Sequence, residues 1–393
     1  MDQIRRFTLA LLFSASASAA LAQDGALRVL LGVDPSDEAL RREQERSVSL
    51  SPILSAALKK KVAVNSTIFL TDVMRATRTF ENDAIIGPPN VIASAISHGY
   101  RLLASNDRSA SFSLVAAPSV AQVKDLLGKR LYLTQQDSTR AYLAKGLLRE
   151  AQVDLKSLDK ITYGTTSGAG LLALQFKLAD ATFADDAEAR QWIAQHPGEG
   201  HVLSTSRKIP AGMAISVLKT MSATDSAALL KWVTSPAAQD VGLGRLREAT
   251  GADVESYSYI ASLGILTPSA LPGATVVSAK MAAELMKHGA VAVDTRTEKE
   301  YKHEHVATAI FAPYVEKSLK ETEFDPALDD YKAITALPQD KPLIFMCNGP
   351  ECWKSYKASK VAITRGFKKV YWFRGGVPEW REQAMPLAHA AGS

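Results

Sequence analysis

A chain of 393 residues exceeds one typical domain of roughly 100 to 200 residues, so two or three cores are expected, and a hydrophobic content of 47% is ample for them. The formal charge of +5 is spread along the chain without a basic block, which argues against nucleic acid as a partner. Two cysteines, Cys347 and Cys352, exclude a disulfide framework, and their placement five positions apart in one segment suggests chemistry rather than architecture.

The chain opens with Arg5 and Arg6, an apolar run over 7–13, and small residues ending Ala20-Leu21-Ala22. That order predicts a cleaved signal peptide at residues 1–22, a mature start at Gln23 and export, in a bacterium to the periplasm. Its apolar core is shorter than the roughly 20 residues a spanning helix needs, and no later segment is long and apolar enough, so no membrane span is expected after cleavage. Loss of Asp2, Arg5 and Arg6 would leave a charge of +4.

Strand-like and helical segments then alternate: a strand at 27–33, an amphipathic helix at 52–60 with a solvated end at Lys59-Lys60-Lys61, an apolar strand at 83–86 and a helix at 90–99. A strand at 111–116, a helix at 120–127, a strand at 130–134 and a helix at 138–151 continue the series. The alternation predicts an α/β chain of parallel sheets covered by helices. The stretch 257–274 carries Gly264, Pro268, Ser269, Pro272 and Gly273 without a clear period, and predicts an interdomain linker. A helix at 279–288 and a strand at 290–294 restart the pattern. The expected domains are 23–260, in two lobes, and 274–393, joined by a linker at 261–273.

The strongest local signal is Leu343-Ile344-Phe345-Met346-Cys347, followed by Asn348, Gly349, Pro350, Glu351, Cys352, Trp353, Lys354 and Ser355 and a helical run over 356–365. An apolar strand thus delivers a cysteine to a tight loop that feeds a helix. Backbone N–H groups there, with the positive end of the helix dipole, can stabilise a thiolate.

Three landmarks together resemble the rhodanese family. They are Val293-Asp294-Thr295-Arg296 with Glu300-Tyr301 and His305-Val306, the cysteine loop itself, and Tyr371-Trp372-Phe373-Arg374-Gly375-Gly376-Val377-Pro378-Glu379-Trp380. The resemblance implies a domain with a central parallel sheet, in which Cys347 attacks the outer sulfur of a thiosulfate-like donor, becomes a persulfide and passes the sulfur to a thiol or cyanide-like acceptor, without metal or organic cofactor. It implies structural roles for Asp294 and Arg296, and makes Arg374 and Lys354 the cations that meet an anionic donor. The sequence departs from the common pattern: six residues separate Cys347 from Lys354, and the loop holds no arginine. A wider loop could prefer another anion, as in the phosphatase and arsenate-reductase relatives. Cys352 could resolve a persulfide, pair with Cys347 in a disulfide, or be a small buried hydrophobe. His303, Glu304 and His305 lack a third ligand partner in view, so no metal is expected.

Upstream, from Val29 to about Tyr259, the order of segments resembles periplasmic solute-binding proteins of ABC transporters, especially the phosphate and phosphonate branch. The matching pieces are Gly32-Val33-Asp34-Pro35, Ala84-Ile85-Ile86-Gly87-Pro88, Leu126-Leu127-Gly128-Lys129-Arg130-Leu131-Tyr132-Leu133, Asp137-Ser138-Thr139 and Lys177-Leu178-Ala179-Asp180-Ala181-Thr182. The resemblance implies two α/β lobes, chain crossings near 111–117 and 201–206, a ligand in the cleft between them, and a transporter as partner. Gly87, Ser138, Thr139, Thr165, Thr166 and Ser167 are the expected cleft contacts, helix starts supplying N–H groups and hydroxyls to an anion. Ser138 reads equally as an ordinary N-cap, and Ser167-Gly168 as a plain turn. No histidine stands near Thr166, where phosphonate-branch relatives carry one, which argues against tight phosphonate binding; an oxyanion of sulfur would suit both halves. The joint expectation is a periplasmic sulfurtransferase with a small-anion-binding module. The alternative is a non-catalytic binding or redox- and sulfur-sensing protein with a Cys347–Cys352 disulfide.

Overall fold

Val29 and Leu31 face one apolar cluster and Leu30 another, the period of two that a strand covered on both faces requires. In the computed structural model, which describes residues 25–36, 50–264 and 266–389, this strand, Leu27–Gly32, seeds the first sheet; the expected signal peptide lies outside the described residues. The sheet runs in the order Leu246–Glu248, Tyr100–Asn106, Ala214–Leu218, Ala84–Gly87, Leu27–Gly32, Val62–Thr67. It is not wholly parallel as expected. Ala214–Leu218 returns from the other lobe and therefore pairs antiparallel with both its neighbours.

The second sheet has the order His201–Thr205, Phe112–Ala116, Ala181–Asp185, Arg130–Thr134, Lys160–Gly164. The lobes repeat one device. Arg28 is the second residue of its strand and Arg130 the first, and each donates its backbone N–H and guanidinium to an aspartate that enters the neighbouring strand, Asp83 at 2.7 to 3.3 Å and Asp180 at 2.9 to 3.0 Å. The chain crosses between lobes at Ser109–Ala110 and Ile209–Pro210, which pair antiparallel. These crossings lie just outside the positions expected from sequence, because Phe112–Ala116 and His201–Thr205 belong wholly to the second sheet.

Two further expectations change. Residues 120–127 hold only the 3-10 turn Val123–Leu126. The stretch from 257 stays helical to the end of Gly251–Ser262, because Thr250 and Asp253 form a capping box and Tyr257 and Ile260 are buried against the first lobe. Its helical period was hidden by Ser258 and Ser262 on its exposed side.

The last body is a five-stranded parallel sheet in the order Thr275–Val276, Val370–Phe373, Leu343–Met346, Val291–Asp294, Ile310–Phe311. The central strand is Leu343–Met346, buried throughout. Leu343 and Phe345 pack with Trp353, Tyr356 and Trp372 on one face, and Ile344 and Met346 with Phe373, Val377 and Trp380 on the other. The first of these clusters continues without a break into the lobes, so the C-terminal body is docked on them by apolar packing. Among the described residues no helix is long and apolar enough to cross a membrane.

Candidate functional site

Cys347 follows the central strand and is fully buried. Its Sγ lies 3.1 Å from the carbonyl oxygen of Cys352 and 3.1 Å from the hydroxyl of Ser355. Trp372 donates its indole N–H to the Ser355 Oγ at 3.1 Å, which leaves that hydroxyl's own hydrogen for the sulfur. The backbone N–H of Ser355 also reaches Cys347, and that of Asn348 reaches Cys352. Ser355 and Trp372 were not singled out from sequence. The signal was there in the helix start after the loop and in the closing aromatic motif, but the meeting of a helix residue with one on the strand Val370–Phe373 is a tertiary fact.

The loop is held on every side. Gly349 takes φ of +82°, and its carbonyl accepts from the Cys352 N–H at 3.0 Å. Gly376 has φ of +59°, and a Cβ there would stand 2.0 Å from the Cys347 carbonyl oxygen, which instead accepts the Val377 N–H at 2.9 Å. The double glycine of the closing motif is therefore needed for close approach to the cysteine. Asp294 and Arg296 form a buried pair with contacts of 2.8 to 3.1 Å. Arg296 also donates to Asn348 Oδ1 at 3.3 Å, and Asn348 in turn donates to Glu300 at 2.5 Å. The early motif thus reaches the cysteine loop through Asn348.

Arg374, suggested by the sequence as a contact for an anionic donor, is engaged within the chain. Its Nε and Nη2 donate to the Oγ1 and carbonyl of Thr267, at 3.2 and 2.7 Å, and Thr267 donates to the Pro350 carbonyl. It braces the loop from behind. Of the loop residues only Pro350, Cys352 and Lys354 are partly exposed.

The two thiols influence each other's ionisation. Burial pushes the Cys347 thiol well up. Burial also opposes ionisation of Cys352, but the Cys347 thiol and the charges of Arg78 and Lys354 outweigh it and bring Cys352 down to about 7. Sequence reasoning looked to Cys347 for the stabilised thiolate; the charges of Arg78 and Lys354 favour ionisation of Cys352 as well.

The remaining wall of the loop comes from the first lobe. Glu351 accepts from Arg78 Nη1 at 2.7 Å and from the Ser94 hydroxyl at 2.8 Å. Ser94 lies in the helix Pro89–Ser97, whose first residues face the interlobe cleft. From Pro89 to Ser94 a helix rises roughly 7 to 8 Å, so cleft and cysteine loop meet opposite parts of one helix. Lys320 of the C-terminal body makes a second link, pairing with buried Asp137 at 2.7 Å, and Asp137 accepts from Thr71 at 2.7 Å.

The cleft is a cavity of about 290 Å³ between the lobes. Thr139 lines it, and Gly87 directly precedes the lining residues Pro88 and Pro89. Ser138 caps its own helix, accepting from the Ala141 N–H at 3.2 Å, and pairs with Thr134. Thr165, Thr166 and Ser167 do not line this cavity; Thr166 caps the helix Ser167–Gln175. Arg108 and Arg140 line it and were not singled out from sequence. The carboxylates on its wall are engaged locally, Asp34 with Ser36 and Asp185 with the N–H groups of Ala187 and Glu188. By contrast the Arg140 Nε is shut from solvent without a hydrogen-bond partner. The Arg140 Nη1 is committed, donating to the Ser36 hydroxyl at 2.9 Å, so Nε is the donor left over.

Among the described residues no group of three or more His, Cys, Asp or Glu could hold a metal ion. His305 stacks on Tyr301 with ring centres 3.9 Å apart.

Comparison with known proteins agrees with this division. Residues 278–383 match the rhodanese-like domain. Residues 31–241, more than half of the chain, match the ABC transporter phosphonate periplasmic substrate-binding protein family. No curated protein matches. Similar solved structures include XAC2383 from Xanthomonas citri bound to ATP, with 11% identity, TM-score 0.48, and 61% of this chain and 96% of that one covered. Another is PhnD1 from Prochlorococcus marinus in complex with methylphosphonate, with 14% identity, TM-score 0.45 and coverage of 61% and 97%. A third is a binding protein component of an ABC phosphonate transporter from Pseudomonas aeruginosa, with 14% identity, TM-score 0.43 and coverage of 67% and 94%. The chain belongs to the phosphonate-type periplasmic substrate-binding proteins of ABC transporters and carries a rhodanese-like domain after the two lobes.

Proposed function

We propose that this is an exported protein whose lobes take a small oxyanion and whose C-terminal domain moves sulfane sulfur from a thiosulfate-like donor to a thiol or cyanide-like acceptor through a persulfide on Cys347. The observation that carries the reading is Cys347 at the end of the central strand, with the Ser355 hydroxyl 3.1 Å from its sulfur and the Ser355 N–H beside it. Cys352 takes the Cys347 proton, and the Cys347 thiolate attacks the outer sulfur of the donor. The donor's S–S bond breaks, sulfite leaves with the electron pair, and the negative charge remains on the new persulfide. Ser355 then holds that charge without reorganising. An acceptor thiolate or cyanide removes the outer sulfur and restores the thiolate. The sulfur rides on the protein throughout.

Arg108 and Arg140, with the engaged carboxylates, favour an anion in the cleft. An ABC transporter is the partner that the lobes imply, and the periplasm the compartment.

A second reading is supported by Cys347 Sγ standing 3.1 Å from the Cys352 carbonyl oxygen, which keeps the two cysteines neighbours in one loop, for a disulfide with a redox or sensing role. Intact mass of the full chain, before and after thiosulfate, separates the two. A gain of one sulfur atom that Cys347→Ser abolishes supports transfer. No gain, with a loss of two hydrogens that returns after mild reduction and reoxidation, rejects transfer in favour of the disulfide.

A further inference from the structure

The cysteine loop supplies little charge for the anion its chemistry would create. Arg296 is spent on Asp294, the Glu304 carbonyl and Asn348, and Arg374 is bound to Thr267. Lys354 is partly exposed, where solvent weakens its field. The buried cation at the loop comes from elsewhere in the chain. Arg78 follows the helix Leu70–Ala76 of the first lobe, its side chain is 7% exposed, and one nitrogen is held by Glu351 of the loop. Its Nε is shut from solvent and has no hydrogen-bond partner. A guanidinium stripped of water with a donor to spare is an arrangement that an added anion stabilises. Both cysteines lie near enough for their charges to act on it.

We propose that Arg78, a residue of the substrate-binding lobes, is the positioning cation of the cysteine loop, so that the sulfur site is complete only when the two domains are docked. The inference deepens the sulfurtransferase reading above and rests on it for the identity of the anion. Arg78 does not touch the reacting sulfur. It favours the ionised state of the pair while the proton moves from Cys347 to Cys352, and it remains opposite the persulfide when sulfite departs with the electron pair. Glu351 tempers it: by pairing with one nitrogen it fixes the guanidinium and offsets part of its charge. The other titratable or charged groups facing this cluster are Tyr142 and Lys320, which act on Arg78, His98, which faces both Arg78 and Glu351, Glu382, which faces His98, Lys354, which faces Cys352, and Arg296, which faces Cys347.

The arrangement predicts opposite effects from its two halves. In the full chain, Arg78→Gln should raise the midpoint pH for alkylation of the cysteine pair by iodoacetamide by about one unit and slow sulfur uptake from thiosulfate about tenfold, one unit corresponding to a tenfold change in the ionised fraction. Glu351→Gln should lower the same midpoint, and Arg78→Lys should keep it near the parent value. Should Arg78→Gln fail to fold, the Glu351→Gln and Arg78→Lys profiles still decide the matter. An Arg78→Gln or Glu351→Gln profile that coincides with the parent, or a midpoint that rises in Glu351→Gln, overturns the assignment of Arg78. Shifted midpoints in a parent that gains no sulfur uphold Arg78 and reject sulfur transfer, whereas sulfur uptake with unmoved midpoints does the reverse.

Discussion

The interlobe cleft and the cysteine loop are built from the same parts, a strand, a short turn and the start of a helix, yet they use them in opposite ways. At the cleft the start of the helix Thr139–Glu150 borders a cavity of about 290 Å³, where Arg140 Nε has no hydrogen-bond partner. At the loop the helix Trp353–Thr364 starts beside a sulfur with no exposure at all, sealed by Glu351 and Arg78. A helix start is a site for anions only where something leaves room for one. In the cleft the hinge strands provide the room. At the loop a neighbouring domain removes it and supplies a cation instead. The helix Pro89–Ser97 touches both places, which gives a ligand in the cleft a short path to the sulfur site.

The comparison can be broken most severely at the loop's foundation. Asp294→Ala leaves the buried Arg296 without its carboxylate, and removal of one partner from such a pair costs about 3–5 kcal/mol. Urea unfolding should show that loss in the C-terminal domain while anion binding in the cleft survives; loss of both together would mean that the lobes do not hold their fold without the docked domain. Gly376→Ala comes next. The added methyl meets the Cys347 carbonyl oxygen, so a cost of about 1–3 kcal/mol is expected, with sulfur uptake lost in the mass assay even where the domain stays folded.

At the cleft, Arg140→Gln should weaken binding of thiosulfate by about tenfold in calorimetry, or about 1.4 kcal/mol, whereas Thr166→Ala should leave it unchanged because Thr166 only caps its helix. Equal losses in the two variants would place the ligand elsewhere. The smallest effect concerns Asp253, whose carboxyl is brought down to about 2, chiefly by hydrogen bonds from Arg247. A folded-state value below the unfolded one stabilises the protein above about pH 4, and that contribution disappears as the pH falls toward about 2. Asp253→Asn should flatten this acid limb and cost about 0.5–2 kcal/mol at neutral pH through the weakened helix cap, measured by thermal unfolding across the pH range.

By itself the sequence determined the alternation of strands and helices, the cysteine at the end of an apolar strand, and the motif around Gly375 and Gly376, since each depends on residues close together in the chain. Period and turn chemistry are local, and the central strand Leu343–Met346 and the helix following the loop were legible for that reason. Only the tertiary structure decided which groups meet. Ser138 and Thr166 carry the same signature as Thr139 because a hydroxyl at a helix start looks alike whether it caps the helix or borders a cavity. Arg374 was drawn from the anion to Thr267 by a segment 107 residues away, and Arg78 reaches Glu351 across 273 residues. A buried charge must find its partner wherever folding brings one within reach, and that choice is made by the packing of the domains rather than by sequence spacing.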